Sequence, residues 1–177
     1  HADLENFSGA VIGQDSLRVT LQSFLAELYA EIRSRPACER IKSEGDGFLI
    51  FSADSLWLFE TAKKIGDHFD QFKLRNPSLL GCLRSVLNRG RVNCIEVVGT
   101  KEKDFDGDAI IECKRIDQPM KAYLREQKIS GNQIWCVEAF KIDVENRSPH
   151  LRFAPLPPIQ LDKNYESKSK LFQITVA

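Results

Sequence analysis

The chain has 177 residues, enough for one domain with a sizeable core, since about 150 residues already bury roughly two-thirds of the surface an unfolded chain exposes. Twenty-five basic residues balance twenty-five acidic ones, so bulk charge recruits neither nucleic acid nor an anionic membrane, and binding has to come from a local site. Five scattered cysteines without metal-ligand or redox spacing, no apolar run near the ~20 residues of a membrane span and no signal peptide point to reduced thiols in a soluble, cytoplasmic protein.

Only His1 and Ala2 precede Asp3, and the sequence is expected to begin inside its first strand. Asp15 or Ser16 then caps a helix in which Leu17, Leu21, Phe24, Leu25, Leu28 and Ile32 form one apolar stripe, ending at Arg35-Pro36. Arg40 to Ser43 and Phe48 to Ser52 flank Gly45-Asp46-Gly47, the pattern of a hairpin with Asp46 at its turn. Leu56, Phe59, Ala62, Ile65, Phe69 and Phe72 mark a second amphipathic helix that ends near Asn76-Pro77. Leu83 to Asn88 and Val92 to Val98 read as another hairpin around Arg89-Gly90, and Ala109 to Glu126 as a third helix. The remainder, including Leu151 to Phe153 and Leu171 to Val176, reads as short strands with Pro-rich turns. This order predicts a single α+β domain over residues 1–177, a ferredoxin-like βααββαβ sandwich with extra C-terminal strands.

Three segments carry chemistry: Asp3-Leu4-Glu5-Asn6-Phe7-Ser8, Lys42-Ser43-Glu44-Gly45-Asp46-Gly47, and Asp104-Phe105-Asp106-Gly107 running on to Arg115. Two carboxylates, Asp3 and Asp46, at the ends of neighbouring strands suit a pair of divalent ions that bridge phosphate oxygens. A turn aspartate between glycines also arises on steric grounds alone. Phe7-Ser8-Gly9-Ala10, just before the first helix, suits a phosphate cradle, as an ordinary helix entry would. Arg115 can offset charge on a transferring phosphoryl group, while Lys114 and Lys121 read equally as solvated surface. Lys163 and Lys168 are further phosphate candidates. Gly66-Asp67-His68 falls inside a helical pattern with no strand before it, and neither His68 nor His150 has the partners of a catalytic triad.

Taken together, the order and spacing of these motifs resemble the class III nucleotidyl cyclase catalytic domain, the adenylyl and guanylyl cyclase family, over the whole chain. The first segment resembles the family's first metal-binding stretch, an Asp, a hydrophobic residue, then Phe-Ser; the second resembles the one in which a lysine four residues before the metal-binding aspartate helps to choose the base. The third resembles the stretch that supplies a base-selecting residue and then, eight residues after the glycine, the transition-state arginine. The resemblance implies a metal segment of Asp3, Leu4 and Asp46, base contacts from Lys42 and Asp104, phosphate contacts from Phe7, Ser8 and Lys163, and Arg115 as the catalytic cation. It also implies two Mg²⁺ or Mn²⁺ ions per site, a nucleoside triphosphate cyclised to a 3′,5′-cyclic nucleotide with release of pyrophosphate, and a head-to-tail homodimer that engages neither nucleic acid nor membrane.

Two departures bear on the substrate. Where the family has an asparagine that orients the ribose, this chain has Ile111, which cannot hydrogen-bond. The family's Gly-Ile-His-x-Gly hairpin is replaced by Ser85-Val86-Leu87-Asn88-Arg89-Gly90. The Lys42 and Asp104 pair resembles that of adenylyl cyclases and speaks for ATP. The departures and the short chain also resemble the bacterial cyclases of Pycsar antiphage systems, which make cyclic UMP or cyclic CMP, and the balance inclines to that pyrimidine expectation. A degenerate domain that binds nucleotide without turnover is the alternative that Ile111 favours. A diguanylate-cyclase-like enzyme is disfavoured by Gly45-Asp46-Gly47-Phe48, which lacks that family's turn.

Overall fold

A computed structural model describes residues 1–4, 15–44, 47–77, 79, 81–96, 103–158 and 170–176. In chain order its elements are β1 (Ala2–Leu4), α1 (Asp15–Arg33), β2 (Arg40–Glu44), β3 (Gly47–Phe51), α2 (Ser55–Arg75), β4 (Leu83–Leu87), β5 (Asn93–Glu96), β6 (Lys103–Asp106), α3 (Asp108–Glu126), β7 (Gln133–Val137), α4 (Glu138–Glu145), β8 (Leu151–Pro155) and β9 (Leu171–Val176). The predicted α+β class and its C-terminal strands stand. Within the described residues, β2-β3-β1-β4-β7-β9-β8 form one mixed sheet in which only the β4–β7 pair is parallel, while β5 and β6 form a separate antiparallel ribbon.

The helices lie where the apolar periodicity puts them. In α1, Leu17, Leu21, Leu28 and Ile32 are buried at helical spacing, and in α2 so are Phe59, Ala62, Ile65, Phe69 and Phe72. Helix α2 begins where the Asp54 carboxylate accepts the Leu56 N–H at 3.0 Å, satisfying a donor that has no partner within the helix. It ends at Asn76, ahead of Pro77. These two helices pack with β1 to β4 into one core, where Phe24 stacks on Phe72 at 4.4 Å. A second core joins α3 and α4 to β4 and β7 to β9 through Ile116, Met120, Trp135, Phe140 and Val144. Each such side chain, once fully buried, contributes about 1.5–3 kcal/mol of transfer free energy, which makes this second core the support for everything α3 carries.

Two expectations are corrected. The predicted hairpin of Leu83–Asn88 with Val92–Val98 does not form: β4 lies inside the main sheet between β1 and β7, and β5 pairs with β6. Burial explains the difference. All five residues of β4 are buried, as a central strand requires, whereas Asn93, Cys94, Ile95 and Glu96 are all exposed. Carrying Asn93 and Glu96 into that sheet would bury polar groups that lack partners. The second correction is α4, which falls in a stretch expected to hold only short strands; Phe140 and Val144 are buried four residues apart, and Lys141 pairs with Glu145 at 3.1 Å, both helical spacings.

Gly66-Asp67-His68 lies within α2, as its pattern indicated, with Asp67 paired to Lys63 at 2.8 Å. No disulfide joins the five cysteines. Burial pushes the Cys136 thiol up to about 12, which keeps it protonated and unreactive in the folded protein. Among the described residues no helix is long and apolar enough to cross a membrane.

Candidate functional site

The clearest convergence of predicted site residues is Lys42 with Asp104, 62 positions apart in sequence. Lys42 projects from β2 and Asp104 from β6, and the Lys42 ammonium donates to both carboxylate oxygens at 3.1 and 3.3 Å. Each side chain keeps 43% of its surface exposed, so the pair faces solvent and is open to a ligand. The backbone N–H of Phe105, at 2.9 Å from Asp104 Oδ1, and then the Lys42 ammonium hold the Asp104 carboxyl below the usual carboxylate range, so it is an anionic acceptor at neutral pH. One residue on, Phe105 stacks against Phe51 of β3 at 4.7 Å, with ring planes 23° apart. A charged contact and an aromatic contact thus tie the β5–β6 ribbon to β2 and β3.

Arg40 lies beside this pair, a residue that sequence reasoning did not single out. It precedes Lys42 by two positions in β2, so both start from the same face of the strand, and its charge helps to lower Asp104. Its Nε is buried and has no hydrogen-bond partner among the described residues. The alternation Arg-x-Lys in a predicted strand was the available signal.

Gly107 sets where α3 begins. Its φ of +155° and the 2.6 Å that would separate a Cβ from the Arg91 carbonyl oxygen exclude a side chain there, and its own carbonyl accepts the N–H groups of Ile110 and Ile111 at 3.1 and 3.2 Å. From that start, Ile111 and Arg115 fall one turn apart, and both are exposed, Ile111 at 41%. They stand on the solvent-facing side of α3, away from the core that the same helix builds with Ile116 and Met120.

Asp3 and Leu4 lie in β1, whose backbone pairs with β3 so that Asp3 is opposite Gly47, and with β4 so that Asp3 is opposite Arg84. Phe7, Ser8, Asp46 and Lys163 lie outside the described residues. Among the described residues no three metal-ligating side chains cluster. A Mg²⁺ site of the substrate-bridging kind needs no such cluster, because one or two carboxylates, water and substrate phosphates complete the coordination. Hard carboxylates are the donors such a site takes, and the register of β1 on β3 puts Asp3 across from Gly47, the residue that follows Asp46 in sequence.

A cavity of about 430 Å³ opens behind the Phe51–Phe105 stack, between β3, β4, α2 and the start of α3. Neither Lys42, Asp104 nor Arg115 lines it, so the candidate chemistry sits on the surface of the protomer.

Comparisons with solved structures return cyclase domains. The chain superposes on the adenylyl cyclase CyaB from P. aeruginosa with a TM-score of 0.71 at 13% identity, covering 99% of this chain and 91% of that one. An adenylate cyclase from Trypanosoma brucei gives 0.69 at 14% identity over 99% and 86%. The dimeric guanylyl cyclase domain of the RhoGC fusion protein from the aquatic fungus Blastocladiella emersonii gives 0.65 at 16% over 99% and 93%. At these identities the likeness establishes the fold, that of adenylyl and guanylyl cyclase catalytic domains, over nearly the whole chain. No family model matches the chain, and no curated protein matches it.

Proposed function

We propose that this chain is a nucleotidyl cyclase that converts a nucleoside triphosphate into a 3′,5′-cyclic nucleotide and pyrophosphate. The observation that carries the proposal is the Lys42–Asp104 pair, a cationic donor and an anionic acceptor 3.1 Å apart, at the two positions where the motifs called for base contacts, on a cyclase fold. Solvent screens an exposed ion pair of this kind, so little holds it against an entering ligand. An entering base can therefore take over both groups.

Lys42 donates to a ring nitrogen and Asp104 accepts from an exocyclic amino group, the edge that adenine and cytosine share. Guanine and uracil reverse that order. ATP is the substrate that the pair itself favours, and CTP is the one that joins it to the pyrimidine expectation drawn from Ile111, with cyclic CMP as an antiphage messenger. Asp3 and Asp46 would hold the divalent ions, which when bound would supply activation of the ribose 3′-hydroxyl and a clamp on the phosphates. Arg115 offsets the charge that grows on the α-phosphoryl oxygens as the 3′-oxygen attacks and pyrophosphate leaves. Its exposure on α3 suits a site completed by a second copy of the chain, with the metal carboxylates from one protomer and Lys42, Asp104 and Arg115 from the other.

Incubation of the protein with Mn²⁺ and each of ATP, GTP, CTP and UTP, with product masses read directly, tests the proposal. Cyclic product from ATP or CTP is expected to exceed that from GTP and UTP by about tenfold or more, and Lys42→Ala to lower kcat/KM for the best nucleotide by about 10–100-fold and flatten the preference. Dominant cyclic GMP or cyclic UMP, or a preference unmoved by Lys42→Ala, contradicts the base assignment. No product from any of the four, by a folded dimer, rejects the enzyme and favours a nucleotide-binding regulatory domain.

A further inference from the structure

A buried ion pair ties β4, the strand next to that of Asp3, to the helix that carries Arg115; on the shared-site reading Asp3 and Arg115 serve the two different sites of the dimer. Arg84 sits in β4 directly across from Asp3 of β1, and Asp117 sits in α3 two residues beyond Arg115. The guanidinium forks onto the carboxylate, Nε to Oδ1 at 3.0 Å and Nη2 to Oδ2 at 3.3 Å, with Arg84 1% and Asp117 5% exposed. Withdrawing two charges from water costs about as much as their attraction returns, and apolar side chains of similar volume often replace such pairs without loss of stability. Stability alone therefore gives no reason to place this pair in the core. A planar fork does give a fixed direction, because it accepts a carboxylate in one orientation.

Helix α3 needs such a fixture at this turn. Pro119, inside the helix, cannot donate an i→i−4 bond, so the backbone ladder is weakened next to Asp117. Hydrogen bonds that tie α3 to β4 and to the residue after it lie further toward the helix start: Cys113 Sγ donates to the Val86 carbonyl at 3.7 Å, and Asn88 Nδ2 donates to the Ala109 carbonyl at 3.2 Å and to Glu112 at 2.9 Å. On the function proposed above, we infer that Arg84 and Asp117 are positioning residues that fix the rotation and height of the Arg115 helix on β4, and so the place from which Arg115 reaches the site it shares with the partner subunit. Both are withdrawn from the surface and act through the helix. A misplacement of about 1 Å at a reacting group can cost roughly 10²-fold in rate, so the fixture acts on kcat.

The test is the charge-free pair Arg84→Met with Asp117→Leu, beside Asp117→Glu, which keeps a carboxylate for the fork. The double variant is expected to fold and dimerise with its thermal midpoint at or above that of the wild type, to lose about tenfold or more in kcat with KM within about threefold, and to exchange the α3 amides from 109 to 120 about tenfold faster. Asp117→Glu should keep most of kcat. Wild-type kcat and wild-type exchange in the double variant overturn the inference, as does a lower midpoint with kcat per folded molecule unchanged, which marks a purely structural pair. Should the double variant not fold, Arg84→Lys, which keeps the charge and loses the fork, decides by the same kcat and exchange criteria. If the wild-type protein turns over no nucleotide, the cyclase proposal fails, and the exchange rates alone still judge the positioning inference.

Discussion

Replacing Arg115 with alanine is expected to lower kcat for cyclic nucleotide formation by about 10²–10³-fold while leaving KM within a fewfold and the fold intact. The split follows from where the residue acts. A guanidinium that meets charge appearing only as the 3′-oxygen attacks contributes to the transition state and little to ground-state binding, so its removal lowers kcat and kcat/KM together. Stability should change by no more than about 0.5 kcal/mol, because Arg115 is exposed on α3 and the helix is held by Ile116, Met120 and Leu124 on its other side. Arg115→Lys should recover only a small part of the loss, since an ammonium is a point charge and cannot reproduce the planar fork. Steady-state kinetics of pyrophosphate release, with a thermal melt as control, check this; a purely KM effect would place Arg115 in ground-state binding.

On the proposed two-metal site, Asp46→Ala is expected to remove metal-dependent turnover, by roughly 10³-fold or more, because several kcal/mol of charge stabilisation would depend on the ions that two carboxylates hold between them. With one carboxylate left, raising Mn²⁺ should recover little, and nucleotide binding through Lys42 and Asp104 should persist. Metal titration of activity together with equilibrium binding of a non-hydrolysable triphosphate checks both halves. Turnover that survives at wild-type rate would exclude Asp46 as a metal ligand.

How much of this was legible in the sequence depended on whether a signal was local. Helices α1, α2 and α3 were readable because each buries one stripe at 3.6-residue spacing, and the β2–β3 pairing because Gly45-Asp46-Gly47 separates two β-rich stretches in the sequence. The partner of β4 was not readable. Leu83 to Leu87 and Asn93 to Glu96 both look like strands, and only burial separates the one enclosed in the sheet from the one on an exposed ribbon. Helix α4 was overlooked because it offers only eight residues and a single buried i,i+4 pair.

Lys42 and Asp104 could be named from their motifs, yet their meeting at 3.1 Å spans 62 positions that no periodicity connects. Arg84 and Asp117 were passed over for a different reason. An isolated arginine in a strand and an aspartate in a helix each look like surface charge, and nothing local reveals that both are withdrawn from water against each other.

The central claim, a two-metal cyclase whose site is shared between head-to-tail protomers, is tested most directly by mixing two inactive chains. Asp46→Ala and Arg115→Ala, co-expressed with different tags and isolated as the mixed dimer, should together leave one intact site of two and restore about half the wild-type turnover, although each variant alone is inactive. A mixed dimer no more active than either variant alone would contradict the shared site.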